Sequence, residues 1–149
     1  MSSPYAVLAE MPEVRLHWTS NAEVLQGRQA RWFPSKRVIA IDARIRRLKS
    51  RCSLAHELAH IVAEDACGSE GGLYDYRREL QADEWAARLL LDDLALLART
   101  LVTTTTDGHA AHELNVTLAL YQTRLDTLSD EEREQINHHV REHRDCWGA

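Results

Sequence analysis

Apolar residues recur along this chain with two periods, and the switches between them mark out its elements. From 43 to 64, Ile45, Leu48, Cys52, Ala55, Ala59 and Val62 are spaced 3, 4, 3, 4 and 3. That is the stripe of an amphipathic helix with one face in a core. A second helix is predicted from about Tyr74 to Leu91, with Leu80, Ala87, Leu90 and Leu91 on its core side. Asp92-Asp93 can cap another helix through Leu101. Residues 109–128 read as a helix, a tight turn and a helix, and Ser129-Asp130-Glu131-Glu132 is a capping box opening a last helix to about His143.

Upstream the pattern is shorter in period. Residues 4–11 read as a short helix with Val7, Leu8 and Met11 on one side, and Val14-Arg15-Leu16-His17-Trp18 alternates as a strand does. A loop at Thr19-Ser20-Asn21 and a break at Gly27 follow. Two β-rich runs, Ala30–Phe33 and Arg37–Asp42, stand either side of Pro34-Ser35-Lys36 and predict a hairpin. The expected fold is therefore α+β, with a small antiparallel sheet of about three strands beside a mainly helical part. At 149 residues it is expected to be one domain: 1–42 sheet-rich, 43–101 the two long helices and the next, 109–145 the C-terminal helices. Three glycines within Glu64–Gly72 predict a loop between the long helices.

Charge and composition narrow the function. A net charge of −5 and a pI near 5.9 give no general attraction for nucleic acid. Arg124 is the only basic residue on the second helix of 109–128, so that pair is expected to pack rather than read DNA. Arg44, Arg46, Arg47, Lys49 and Arg51 are expected to be a solvated basic face. No apolar run approaches the ~18 residues of a membrane span, and Met1–Tyr5 lacks the pattern of a signal peptide. Cys52, Cys67 and Cys146, odd in number and widely spaced, suit reduced thiols in a cytoplasm.

The candidate chemistry lies in the first long helix. His56 and His60 are four apart, one above the other on a helix face, where both rings can reach one Zn²⁺. Glu57, beside them, can take a proton from zinc-bound water. Glu79 on the second helix can complete a two-histidine, one-glutamate site, and Asp83, one turn on, can hold a histidine ring N–H. An oxyanion donor is sought among Tyr74, Tyr76, Arg77 and His109, with Tyr74 or Tyr76 preferred. His112-Glu113-Leu114-Asn115-Val116 imitates the motif but lacks its second histidine. His139 and His143, with Cys146 beyond, allow a second metal site, against which a solvated terminal helix is the expectation.

Cys52–His60 (CSLAHELAH) followed by Glu79–Leu90 (ELQADEWAARLL) resembles the ImmA/IrrE family of metallo-endopeptidases. The resemblance spans about residues 5–130 and is specific over 52–90. It implies His56, His60 and Glu79 as ligands of one Zn²⁺ per chain and Glu57 as the catalytic carboxylate. It also implies a zincin-like fold whose sheet edge pairs with extended substrate. The implied substrate is a partner protein, typically a helix-turn-helix repressor, cut to relieve repression in a phage or mobile-element setting. Neither direct nucleic-acid binding nor a membrane role is expected. Ala59, where that family usually has glycine, adds a methyl that could push the ligand helices apart. The rival reading is a zinc-fold binding protein, gripping a repressor or serving as a toxin–antitoxin partner, and an intact Glu57 argues against it. Relatives that share the zinc motif and add a zinc ribbon are a third possibility, and the chain has no Cys-x-x-Cys.

Overall fold

The computed structural model describes residues 2–64 and 73–148, with side chains described from residue 76 in the second stretch. Its elements in order are α1 (Pro4–Ala9), β1 (Arg15–Thr19), α2 (Ala22–Leu25), β2 (Ala30–Phe33), a 3₁₀ turn (Pro34–Lys36) and β3 (Val38–Asp42). Then come α3 (Arg47–Glu64), α4 (Leu73–Leu90), α5 (Leu94–Thr103), α6 (Asp107–Glu113), α7 (Leu118–Asp126) and α8 (Asp130–Trp147). The architecture is α+β and zincin-like: mostly helical, with one three-stranded sheet.

The sheet is mixed, which corrects the expected all-antiparallel arrangement. Its order is β1-β3-β2; β2 and β3 form the predicted antiparallel hairpin, but β3 runs parallel to β1. The excursion through α2 carries the chain past β1, so β2 lands on the far edge and the hairpin folds β3 back between them. A hairpin signal is local and does not say which strand is central. The continuous burial of Ile39, Ala40 and Ile41 is the mark of a strand covered on both faces. The short α2, capped by the Asn21 side chain accepting from the Glu23 N–H, falls where only a loop and a break are predicted.

Helix α3 is the hinge of the packing because two of its faces are buried. Leu54, Leu58 and Ile61 meet Val14, Ala30, Ile39 and Ile41 of the sheet side. Cys52 and Ala55 belong to the second core, with Ala86, Ala87, Leu90 and Leu91 of the α4 region and residues of α5 to α8. The predicted stripe is thus right over Cys52, Ala55 and Ala59, but Val62 is exposed, and so is Leu80 at 50 %. Helical period tells the direction of a side chain, not how far along the axis its partner reaches. Caps fall where hydroxyls and carboxylates permit: Asp93 on α5, Thr106 on α6, Thr117 on α7 and the Ser129–Glu132 capping box on α8. The last helix runs one turn beyond its predicted end, to Trp147. The tight turn before α7 uses Asn115 at φ +56°, and Arg51 donates to its carbonyl at 2.6 Å, which gives part of the basic face a structural task.

Candidate metal centre

The angular order of side chains round α3 builds the site. At roughly 100° per residue, His56 and His60 project between the two buried faces. Glu57 falls between the histidines and the sheet-facing Leu54, Leu58 and Ile61. Its side chain is therefore drawn under the edge of the sheet, 7 % exposed, where it hydrogen-bonds with the Trp32 backbone on β2. Across from it, α4 presents Glu79 and Asp83 from an arc that also holds the buried Ala82 and Ala86. Alanines on both helices let the backbones approach closely, so the methyl of Ala59 is accommodated at 4 % exposure with the donor atoms still together.

Three donors converge. His56 Nε2 lies 3.0 Å from Glu79 Oε2, His60 Nε2 lies 3.1 Å from Glu79 Oε1, and the two Nε2 atoms are 3.1 Å apart. Bonds of ~2.0–2.1 Å in a tetrahedron put ligand atoms roughly 3.3 Å apart, so this set fits a divalent metal. The hydrogen bonding agrees. His56 Nδ1 faces Asp83 Oδ1 at 2.8 Å, and a carboxylate there can only accept, so Nδ1 carries the proton. The Nε2 of a neutral ring is then itself an acceptor aimed at the Glu79 carboxylate, and two acceptors at 3.0 Å need positive charge between them. Among the described residues His56, His60 and Glu79 are the group of three that could hold a metal ion.

The electrostatics follow from burial and from these neighbours. Burial pushes the Glu57 carboxyl above its ordinary range; the His56 charge, the Trp32 backbone and Arg28 pull the other way and are outweighed. Burial pulls His56 down, but the Asp83 hydrogen bond and the charges of Glu57, Glu79 and Asp83 outweigh it and leave the ring more basic than usual. His60 is lowered, by burial first and then by the His56 charge and Arg28. A carboxyl raised by burial and set beside a cation-seeking donor set is placed to exchange a proton with water bound there.

Two cavities of about 620 and 760 Å³ flank the donors. The first, between β2 and the α3–α4 pair, has walls of Trp32, Pro34, Val62, Ala63, Ala82 and Trp85. The second runs along α7 past Cys52, Ser53, Thr117, Leu120 and Thr123. Of the residues predicted to act, His56, Glu57, His60, Glu79 and Asp83 are brought together. Tyr76 is not: it is 62 % exposed on α4 and lines neither cavity, since its place in the helix turns the ring to solvent. The Tyr74 side chain lies outside the described residues, as does Cys67. Arg77 is exposed, and His109 pairs with Glu113 on α6, away from both cavities. His139 and His143 are on α8, with His139 3.5 Å from Glu142, and join no metal-holding group among the described residues. Arg28, in the loop before β2, lines both cavities and carried no signal beyond its basic character.

A helix pair presenting two histidines and a glutamate over the edge of a small sheet, with a buried glutamate beside them, defines the zincin-like class. The chain belongs to a peptidase family within it: the family profile described as IrrE N-terminal-like domain (Peptidase M78) matches residues 11–126. This is a metallopeptidase family, as the resemblance over residues 52–90 implies. A comparison with curated proteins finds no match. No helix among the described residues is long and apolar enough to cross a membrane.

Proposed function

We propose that the protein is a zinc-dependent endopeptidase that cuts a partner protein, a helix-turn-helix repressor, and so relieves repression in the cytoplasm of a cell carrying a phage or mobile element. The observation that carries the enzymatic part is the convergence of His56, His60 and Glu79 beside the buried carboxyl of Glu57. His56, His60 and Glu79 would hold one Zn²⁺, which when bound supplies a Lewis acid for the scissile carbonyl and acidifies water. Glu57 accepts the proton of the attacking water and returns it to the departing amine. Burial under β2 keeps its carboxyl from ionising too readily, so it can hold that proton between the two transfers. Asp83 fixes the His56 tautomer and ring direction.

The edge position of β2 supports an extended substrate adding as a further strand, with the two cavities taking side chains on either side of the cut. The repressor as substrate rests on the family resemblance. The test is to incubate the zinc-loaded protein with a repressor encoded beside it, with and without chelator, and to map the products by mass spectrometry. One or two defined cuts that vanish with chelator are expected. An intact repressor after stoichiometric incubation would remove the repressor as substrate. Failure of casein and a random peptide pool to be cut would remove the peptidase activity itself.

A further inference from the structure

Among the described residues, three line both cavities and so stand where a peptide crossing the cleft would pass: Glu57, Glu79 and Arg28. Two of these have roles in the reading above. Arg28 has none, and among the described residues it is the single cation at the junction; Arg31 and Arg78 line the first cavity only, and Lys49 the second only.

Its placement is built by the backbone. The end of α2 unwinds through two left-handed residues, Gln26 at φ +50° and Gly27 at φ +76°, the latter a conformation that side chains other than glycine's rarely adopt. The Arg28 N–H then donates to the Leu25 carbonyl at 3.0 Å, closing the turn immediately before β2. Nearby arginines are tied up in the fold: Arg31 donates to the Val24 carbonyl, and Arg37 to Glu13 and Glu64. Among the described residues the Arg28 guanidinium makes no hydrogen bond or ion pair, yet its charge reaches Glu57 and His60. An exposed side chain at that point would be covered by a bound peptide, which strengthens its interactions as water leaves.

We propose that Arg28 is a catalytic residue of this peptidase, donating hydrogen bonds to the oxyanion that develops on the scissile carbonyl oxygen. The inference rests on the peptidase reading. In the step it serves, the water oxygen bonds to the carbonyl carbon, the π pair moves onto the carbonyl oxygen and one water proton passes to Glu57. The pair then re-forms C=O as the C–N bond breaks, and the nitrogen leaves with the proton from Glu57. Negative charge exists on that oxygen only between the two events, so a planar cation with five donors, brought there by the turn before β2, lowers the barrier without holding the substrate more tightly.

The test uses Arg28→Ala and Arg28→Lys, with Arg141→Ala on α8 as control, all loaded with Co²⁺. Inorganic phosphate, a tetrahedral anion, is titrated while the cobalt absorption spectrum is followed. Arg28→Ala is expected to weaken phosphate binding about tenfold or more and Arg28→Lys by less, while Arg141→Ala and the metal content stay as in the parent. Where the repressor is cut, kcat falls about 10²–10³-fold in Arg28→Ala with KM little changed. Equal phosphate affinity in Arg28→Ala and parent, or a parent that binds no phosphate, overturns the assignment. A parent that takes up no cobalt overturns the metallopeptidase reading instead, so the two failures are told apart.

Discussion

Glu57 and Asp83 approach the same donors from opposite sides, one from beneath the sheet edge and the other from α4, and they should fail differently. Glu57→Gln keeps the shape and the neighbouring ligands but cannot take a proton. It should retain bound zinc and lose nearly all turnover, checked by elemental analysis beside a cleavage assay. Asp83→Ala frees the His56 ring, whose Nδ1 the carboxylate now holds at 2.8 Å. Losing such an outer partner costs about 10–100-fold in metal affinity, measured by competition with a chromogenic chelator. Glu84→Ala, the next residue, loses a half-buried pair with Arg88 that does not involve the metal donors and should leave that affinity alone. Equal affinities for Asp83→Ala and Glu84→Ala would show that the contact with His56 does nothing for the metal.

Between elements, two couplings decide whether those residues meet. The first is the close approach of α3 and α4 through alanines; Ala86 is fully buried on the arc that carries Glu79 and Asp83. Ala86→Leu forces extra volume into that contact and should cost about 1–3 kcal/mol, read by urea denaturation, with weaker zinc retention as the helices part. The second is a clamp on α4, α7 and α8. Arg124, 2 % exposed, gives two hydrogen bonds to Glu132 and one to the Leu91 carbonyl, and Arg88 adds two more to Glu132. Glu132→Ala leaves Arg124 buried and unmatched and also opens the capping box of α8. The expected loss is about 3 kcal/mol, at the lower end for a buried pair because Glu132 is one-fifth exposed.

For the whole molecule, acid and metal act through linkage. The Arg124 hydrogen bonds, the Ser129 backbone and the charges of Arg124 and Arg88 prevail over burial and hold the Glu132 carboxyl down at about 2. A depressed carboxylate contributes stability that is fully present above its unfolded value and is lost as pH falls through the folded value. Denaturation curves taken with chelator between pH 5 and 2, a range bracketing ~4.3 for a free glutamate, should therefore show a steeper loss for the parent than for Glu132→Gln. Parallel slopes would show that Glu132 does not titrate as the clamp requires. Zinc binding to the folded state alone should raise stability by about 4 kcal/mol at a thousandfold excess over Kd. A melting temperature unmoved by chelator would count against a site that forms only in the native fold.

Local chemistry determined much of this protein. His56, Glu57, His60, Glu79 and Asp83 are legible because helix period places residues four apart on one face, and the caps at Asp93 and Ser129 are legible because hydroxyl and carboxylate caps act within a single turn. The family resemblance over residues 52–90 rests on the same short-range spacing. Tertiary structure alone decided what depends on distant partners. It placed β3 in the middle of the sheet and parallel to β1, left Leu80 and Tyr76 in solvent, and buried Arg124 against Glu132. It also brought Arg28, 28 residues before His56 in the chain, to the junction of the two cavities. The physical reason is that a period fixes the direction in which a side chain leaves its own element. What it meets there is set by the path of the rest of the chain.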